Sequence, residues 1–185
     1  PNLLRQPKLI WQERVGRGVD EDVDSIVASP VVADGLVLVA SSDGYLYAYD
    51  IVERVEVWRF PTGDKIWSKP AVDNGAAYFG SLDKNVYAVR LEDGIELWRR
   101  ATDGAVAAAP AVAGGRVYIG SLDSTFYALD AETGTVEWRF EESNNWFWGQ
   151  AIVNEGTVLV PSLDGNLYAL DAGTGDLQWF LETEG

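Results

Sequence analysis

Short runs of three to six apolar residues recur along the chain, divided by small clusters of Gly, Asp, Ser and Asn. Runs such as "LVLVA" (36–40), "AAYFG" (76–80), "RVYIG" (116–120) and "TVLVP" (157–161) are apolar at odd and even positions alike. A strand with one wet face alternates, whereas a strand covered on both faces does not. The pattern therefore predicts short strands sandwiched between other sheets. Between them stand turn signals: Asp43-Gly44 and Asp164-Gly165 suit tight hairpins, and Gly35, Gly75, Gly115 and Gly156 mark another turn.

The runs repeat. Trp58, Trp98, Trp138 and Trp179 are spaced by 40, 40 and 41 residues, with Trp11 further upstream. Two more anchors keep the beat. One is "SSDGYLYAYD" (41–50), "SLDKNVYAVR" (81–90), "SLDSTFYALD" (121–130) and "SLDGNLYALD" (162–171). The other is "SPVVADG" (29–35), "KPAVDNG" (69–75), "APAVAGG" (109–115) and "GQAIVNEG" (149–156). Each copy reads as four strands, a to d. Four-stranded units that bury both faces stack side by side around an axis, so the expected fold is an all-β propeller. Blades are expected at about 28–62, 68–102, 108–142 and 148–183, with 9–14 as the outer strand of a preceding blade.

The recurring residues have structural readings. The Tyr-Ala pair of strand c (Tyr47-Ala48, Tyr87-Ala88, Tyr127-Ala128, Tyr168-Ala169) sets a large ring on one face and a methyl on the other, which lets blades approach closely. Asp43, Asp83, Asp123 and Asp164 follow a Ser by two residues and suit turns held by a short carboxylate, not ligand sites. The strand-d Trp is expected to pack against the neighbouring blade. Thr133-Gly134 and Thr174-Gly175 supply a residue tolerant of positive φ.

Composition narrows the function. The chain has no Cys and no His, which removes disulfides, thiol catalysis, Cys/His zinc sites and Ser-His triads. Its net charge of −15 repels phosphate backbones, so nucleic acid is an unfavourable partner. Ten Arg and four Lys against 29 acidic residues fit either an acidic extracellular protein or one from high salt. No apolar run is long enough to span a bilayer, and no signal peptide stands at the start. A chain that starts at Pro1 and contains no Met reads as a mature or excerpted segment.

The stretch "APAVAGGRVYIGSLDSTFYALDAETGTVEWRF" (109–140) resembles the PQQ-like repeat of quinoprotein-dehydrogenase-type propellers. The signature Ala-x-Asp-x-x-Thr-Gly-x-x-x-Trp is complete at Ala128, Asp130, Thr133, Gly134 and Trp138, and again at Ala169, Asp171, Thr174, Gly175 and Trp179. The copy ending at Trp98 has Arg90 and Asp93 instead, and the copy ending at Trp58 has Glu53-Arg54 for Thr-Gly. The resemblance runs from about residue 9 to residue 183. It implies one of two classes: a dehydrogenase holding pyrroloquinoline quinone (PQQ) and calcium near the axis, or a non-catalytic scaffold like the lipoprotein of the outer-membrane assembly machine. The enzymes of the family carry a vicinal Cys pair and long insertions, and this chain has neither, which favours the scaffold. The implied location is extracytoplasmic: periplasmic, secreted or at the cell surface. Family propellers usually have eight blades. The chain is accordingly expected to be part of a larger ring, with a half-ring homodimer or a small closed ring as alternatives.

Two places break the repeat. "SNNWFWGQ" (143–150) stands where the previous copy reads "DGAVAAAP" (103–110). Counted from Trp138, Trp146 aligns with Val106, Phe147 with Ala107, Trp148 with Ala108 and Gln150 with Pro110. In an extended segment Trp146 and Trp148 point one way and Phe147 the other. With Asn144, Asn145 and Gln150 beside them they form a candidate site for a protein segment or a flat ligand. The competing reading is that the rings fill space between blades, as Trp67 would in its own copy. The second break, "RVGRGVDEDVDSI" (14–26), carries Asp20, Asp22 and Asp24 at the spacing of a calcium loop. It lacks that loop's Gly, with Ser25 in its place, and the closing Glu, with Val31 in its place, so a solvated acidic loop is the stronger reading. Glu141 and Glu142 carry little weight as a glycosidase acid pair. The expected function is a non-catalytic scaffold that binds protein without a cofactor, through the Trp146/Trp148 face or by strand addition at a sheet edge. The alternative is part of a dehydrogenase with PQQ and calcium.

Overall fold

The computed structural model describes residue 12 and residues 26–183. The strand expected at 9–14 and the acidic loop with Asp20, Asp22 and Asp24 lie outside the described residues. Sixteen strands form four antiparallel sheets, and no helix occurs among the described residues. Sheet I holds β1 (Val31–Ala33), β2 (Leu36–Ala40), β3 (Tyr45–Asp50) and β4 (Glu56–Pro61). Sheet II holds β5 (Ala71–Asp73), β6 (Ala76–Gly80), β7 (Asn85–Arg90) and β8 (Glu96–Ala101). Sheet III holds β9 (Ala111–Ala113), β10 (Arg116–Gly120), β11 (Phe126–Asp130) and β12 (Val136–Phe140). Sheet IV holds β13 (Ile152–Asn154), β14 (Thr157–Pro161), β15 (Asn166–Asp171) and β16 (Leu177–Glu182). In every sheet the strands lie in chain order. The first strand β9 touches both β5 and β13, which puts the first strands on the inner side of the stack.

The both-face apolar pattern has its expected cause. Consecutive sheets pack face to face, and each gap is filled from both sides. Ala88 and Trp98 of sheet II share a core with Ile119, Tyr127 and Leu129 of sheet III. Ala128, Trp138 and Phe140 of sheet III share the next with Val158, Tyr168 and Leu170 of sheet IV. The Tyr-Ala pair is thus split between gaps: Tyr127 looks back one sheet and Ala128 looks forward. The methyl leaves room that a ring from the next sheet fills.

The strand-d Trp locks each sheet to the next. Trp58 Nε1 donates to Leu91 O at 2.9 Å, Trp98 to Ala131 O at 2.9 Å and Trp138 to Ala172 O at 3.1 Å. Each indole lies on a glycine of the following sheet. A Cβ on Gly134 would sit 2.6 Å from Trp98 Cδ2, and one on Gly175 would sit 2.6 Å from Trp138 Cδ2. Gly134 also has a φ of +68°, so both backbone and packing demand the residue. The turn before it is held by Asp130, whose Oδ1 accepts from Thr133 N–H at 2.7 Å and from Thr133 Oγ1 at 2.8 Å. This is the physical content of the Asp-x-x-Thr-Gly spacing. Trp179 finds no such seat among the described residues and is 49% exposed, against 8% for Trp58, Trp98 and Trp138.

Candidate functional site

The turns that follow β2, β6, β10 and β14 share one face of the stack with the links that join one sheet to the next. The Ser-x-Asp turns build that face. In sheet II, Asp83 Oδ1 accepts Asn85 N–H at 3.0 Å, while Oδ2 accepts the Tyr87 hydroxyl at 2.6 Å and Gly63 N–H from the link at 2.7 Å. Asp123 does the same with Thr125, Tyr127 and the link amides of Asp103 and Gly104. Each carboxylate is consumed in holding a link against a turn. Burial and the bond to its aspartate push the phenols of Tyr47, Tyr87 and Tyr127 far above the usual tyrosine range.

In the fourth sheet the same position is tighter. Asp164 Oδ2 accepts from Tyr168 at 2.7 Å, Ser143 Oγ at 2.8 Å and Asn144 N–H at 3.2 Å, and Oδ1 accepts Asn166 N–H at 3.0 Å. Burial opposes ionisation. The donors, led by the Tyr168 and Ser143 hydroxyls, outweigh it and hold the carboxyl at about 2.

Matched backbone bonds fix the register of the links and correct the sequence alignment by one residue. Ile66 N–H donates to Ser41 O, Val106 N–H to Ser81 O and Phe147 N–H to Ser121 O. Lys65 O, Ala105 O and Trp146 O accept from Leu82, Leu122 and Leu163. Phe147 therefore matches Val106 and Ile66, not Ala107. Trp148 matches Ala107 and Trp67, and Ala151, not Gln150, takes the place of Pro110. The extra residue lies upstream, at Glu141-Glu142, ahead of Ser143 in the role of Thr102. Counting from Trp138 crossed this insertion. Counting back from Ser162, Ser121 and Ser81 would have avoided it, because Ala151, Pro110 and Pro70 each precede those serines by 11 residues.

In that register the links alternate. Ile66, Val106 and Phe147 are fully buried in the gaps between sheets. Phe147 lies within 5.6 Å of Phe126, 6.3 Å of Tyr168 and 6.4 Å of Phe140, ring centre to ring centre. So one ring of the "WFW" run does fill space between blades. The positions on either side face out: Lys65, Trp67 and Lys69 in the link to sheet II, Ala105, Ala107 and Ala109 in the link to sheet III, and Trp146, Trp148 and Gln150 in the link to sheet IV.

Trp148 and Trp67 meet. Their ring centres are 5.9 Å apart at an angle of 39°. They come from links on either side of the one that carries Ala107, which is itself 4% exposed. The rings themselves remain open to solvent, Trp67 at 37% and Trp148 at 41%, with Trp146 at 45%. Trp67 is the member of the site that sequence reasoning assigned to packing. Its signal was position: it stands three residues before Pro70, as Trp148 stands three before Ala151.

The polar residues named with the tryptophans serve the loop. Asn145 Oδ1 accepts Trp146 N–H at 2.8 Å, and its amide donates to Leu163 O at 3.2 Å. Gln150 Nε2 donates to Pro110 O at 3.2 Å. Asn144 contributes its backbone N–H to Asp164 and is exposed. These bonds fix the backbone on which Trp146 and Trp148 stand. Among the described residues no group of three or more carboxylates is arranged to hold a metal ion. A shallow cleft lined by Asn74, Tyr78, Leu97, Asp130 and Glu132 opens between sheets II and III at the opposite turns, away from the tryptophans.

Comparison with known proteins agrees with this architecture. The model of a PQQ repeat family described as outer membrane protein assembly factor BamB matches residues 5–65 and 54–185. No curated protein sequence matches. Among solved structures, BamB from Moraxella catarrhalis is 19% identical with a TM-score of 0.73, covering 85% of this chain and 53% of its own. The quinohemoprotein alcohol dehydrogenase ADHIIG from Pseudomonas putida HK5 is 19% identical with a TM-score of 0.77, covering 86% of this chain and 34% of its own. The computationally designed Ika4 protein is 17% identical with a TM-score of 0.73, covering 89% of this chain and 100% of its own. The chain thus spans about half the length of the BamB structure and a third of the dehydrogenase. With the family model covering nearly all of its length, this β-propeller chain belongs to the PQQ repeat family of BamB.

Proposed function

We propose that the chain is a non-catalytic, extracytoplasmic scaffold that binds protein through the face bearing Trp67, Trp146 and Trp148. The observation that carries this reading is the exposed Trp67–Trp148 pair, built from two links that are not neighbours. Large rings left in water on rigid loops are costly unless a partner covers them, and tryptophan is the commonest anchor of protein interfaces. The family likeness to an outer membrane assembly factor supports a scaffold in the cell envelope. Among the described residues of the site, the turn carboxylates hold turns and links, and Asn145 and Gln150 hold backbone.

The second reading, part of a PQQ dehydrogenase, draws on the likeness to alcohol dehydrogenases. The residues described here fit the cofactor poorly. A planar ring held between Trp67 and Trp148 needs their planes roughly 7 Å apart, two stacking distances, and they already touch each other. No cluster of carboxylates stands among the described residues for calcium.

The test sets both readings side by side. The full chain and its Trp67→Ala and Trp148→Ala variants are used to capture proteins from a cell-envelope extract, and the same three proteins are titrated with PQQ and calcium by tryptophan fluorescence. The scaffold reading expects a captured protein that both variants lose and no saturable response to quinone. A saturable quinone response that both variants lose, with nothing captured, overturns it.

A further inference from the structure

The exposed indoles differ from the strand-d indoles in one chemical respect. Trp58, Trp98 and Trp138 each give their N–H to a backbone carbonyl of the next sheet. No hydrogen bond within the molecule engages the N–H of Trp67, Trp146 or Trp148. Three donors therefore stand on this face beside three apolar ring surfaces.

The nine outward positions of the three links are poor in acceptors. Three are tryptophan, three alanine and two lysine, and only Gln150 adds a side-chain carbonyl. The link carbonyls of Lys65, Ala105 and Trp146 already accept from Leu82, Leu122 and Leu163. Charge selects little here, because Lys65, Lys69 and Lys84 stand among Asp64, Asp83, Asp103 and Asp123, and both signs share the face. Shape selects more. Trp67 and Trp148 lie 5.9 Å apart at 39°, so no side chain slots between them, and a partner lies across their exposed edges and faces. The platform is tied down: Asn145 and Gln150 hold its backbone, and Asp164 holds the link through Asn144 N–H.

Resting on the scaffold reading above, we propose that the partner docks a proline-rich segment, in the polyproline II form, on Trp67, Trp146 and Trp148. Each proline supplies a carbonyl and no N–H, and the polyproline II helix leaves those carbonyls free of internal bonds. The carbonyls take the indole N–H groups, and the pyrrolidine rings lie on the indole faces and beside the alanine strip. An ordinary extended segment brings an N–H with every carbonyl. Against alanine and indole those donors lose water and find no acceptor, which weakens binding. Proline also holds its bound φ before it arrives, so little freedom is lost on docking.

The probe is a capped decaproline. Two capped decapeptides serve as controls: alternating phenylalanine and serine, with apolar rings and a full set of N–H groups, and alternating glycine and serine, with N–H groups and no rings. Binding to the full chain is followed by tryptophan fluorescence and titration calorimetry. Four proteins are compared: the parent, Trp67→Ala, Trp148→Ala, and Trp67→Phe/Trp148→Phe, which keeps two rings and removes two donors. Melting curves confirm that each is folded. On the parent, decaproline binds most tightly, the phenylalanine peptide next and the glycine peptide least. Each Ala variant weakens decaproline about tenfold or more. The Phe variant also weakens it about tenfold, as the loss of two ordinary hydrogen bonds should, and changes the phenylalanine peptide less than about threefold. A phenylalanine peptide that binds the parent as tightly as decaproline, and is lost in the Ala variants, overturns the proline-rich partner and leaves the scaffold reading intact. Decaproline binding that survives both Ala variants overturns the placement on the tryptophans. Failure of every peptide overturns the proposal alone if an envelope protein is still captured through Trp67 and Trp148. It overturns the scaffold reading as well if nothing is captured and the parent responds to quinone.

Discussion

Residues 103–110 and 143–151 run the same course between the same kinds of sheet. Each link hangs on a turn aspartate, each donates its buried residue's N–H to the Ser carbonyl of the preceding turn, and each sends one side chain into the gap. They differ in what they show outward: three alanines in one, Trp146, Trp148 and Gln150 in the other. The inward residue also changed, from Val106 to Phe147, yet both are completely buried. Inward positions are governed by the gap and outward positions are free of it. A change on the outward side that adds two exposed indoles is therefore a change the fold did not ask for.

The widest separation between the two links is expected from their inward residues. Phe147→Ala removes a ring packed among Phe126, Phe140 and Tyr168, and a loss of about 3–5 kcal/mol is expected. Val106→Ala removes two methyl groups, worth about 2 kcal/mol at roughly 0.8 kcal/mol per buried group plus the cavity left behind. Urea unfolding of both variants measures the gap. Equal losses would mean that the third gap is not better filled than the second.

The glycines opposite these residues come next. A Cβ on Gly120 would lie 2.3 Å from Phe147 Cβ and 2.8 Å from its carbonyl oxygen, and one on Gly80 would lie 2.2 Å from Val106 Cγ1. Both meet parts that cannot rotate away, because a Cβ on Gly80 would also lie 2.8 Å from Val106 Cβ and 2.8 Å from its carbonyl oxygen; the nearest atom to Gly120 is a Cβ, the nearest to Gly80 a Cγ. Gly120→Ala is expected to cost about 1–3 kcal/mol, at or above the cost of Gly80→Ala. A denaturation midpoint for each decides it, and a neutral Gly120→Ala would show that the link shifts more easily than its hydrogen bonds suggest.

The sequence carried the repeat frame almost entirely. Trp98, Gly134 and Ala131 sit at fixed spacings because an indole, the seat beneath it and the carbonyl that takes its N–H must recur together. Tyr127 and Ala128 were legible as a large-small pair because both jobs are local to one strand. The site was legible only as a departure from the pattern. Trp146 and Trp148 stood out, but Phe147 was given the wrong counterpart because Glu141-Glu142 adds a residue ahead of it. Trp67 was passed over because its pairing with Trp148 spans 81 positions and two sheets. Contacts across the stack leave no periodic trace in one chain, whereas contacts between neighbouring blades repeat and can be read.

A smaller effect distinguishes the fourth turn. Asp164 gathers the Ser143 hydroxyl besides the bonds its counterparts make, and its carboxyl is held at about 2 against about 3.9 in an unfolded chain. The folded state therefore binds the proton more weakly. The stability this contributes is fully present above about pH 4 and is lost as pH falls from there towards 2. Melting temperature measured from pH 5 to pH 2 should fall, and Asp164→Asn should flatten part of that slope while lowering stability at pH 7. An unchanged slope would mean that Asp164 is not among the groups that drive acid unfolding.

The smallest stability effect belongs to the pair that matters most for binding. Trp67 and Trp148 are each more than a third exposed, so truncating either should leave global stability within about 1 kcal/mol of the parent. Their mutual contact is worth about 0.5–1.5 kcal/mol at most, because two rings in water gain little that solvent does not already offer. A double-mutant cycle on Trp67→Ala and Trp148→Ala isolates it. Two indoles at 5.9 Å also couple electronically through their strong far-ultraviolet transitions, so each single variant should abolish the same far-ultraviolet circular dichroism couplet and the double variant should remove nothing more. If the two single losses instead add up in the double variant, the rings report separate surroundings. Link 143–151 then differs from link 103–110 by two independent surface side chains, not by half of a shared platform.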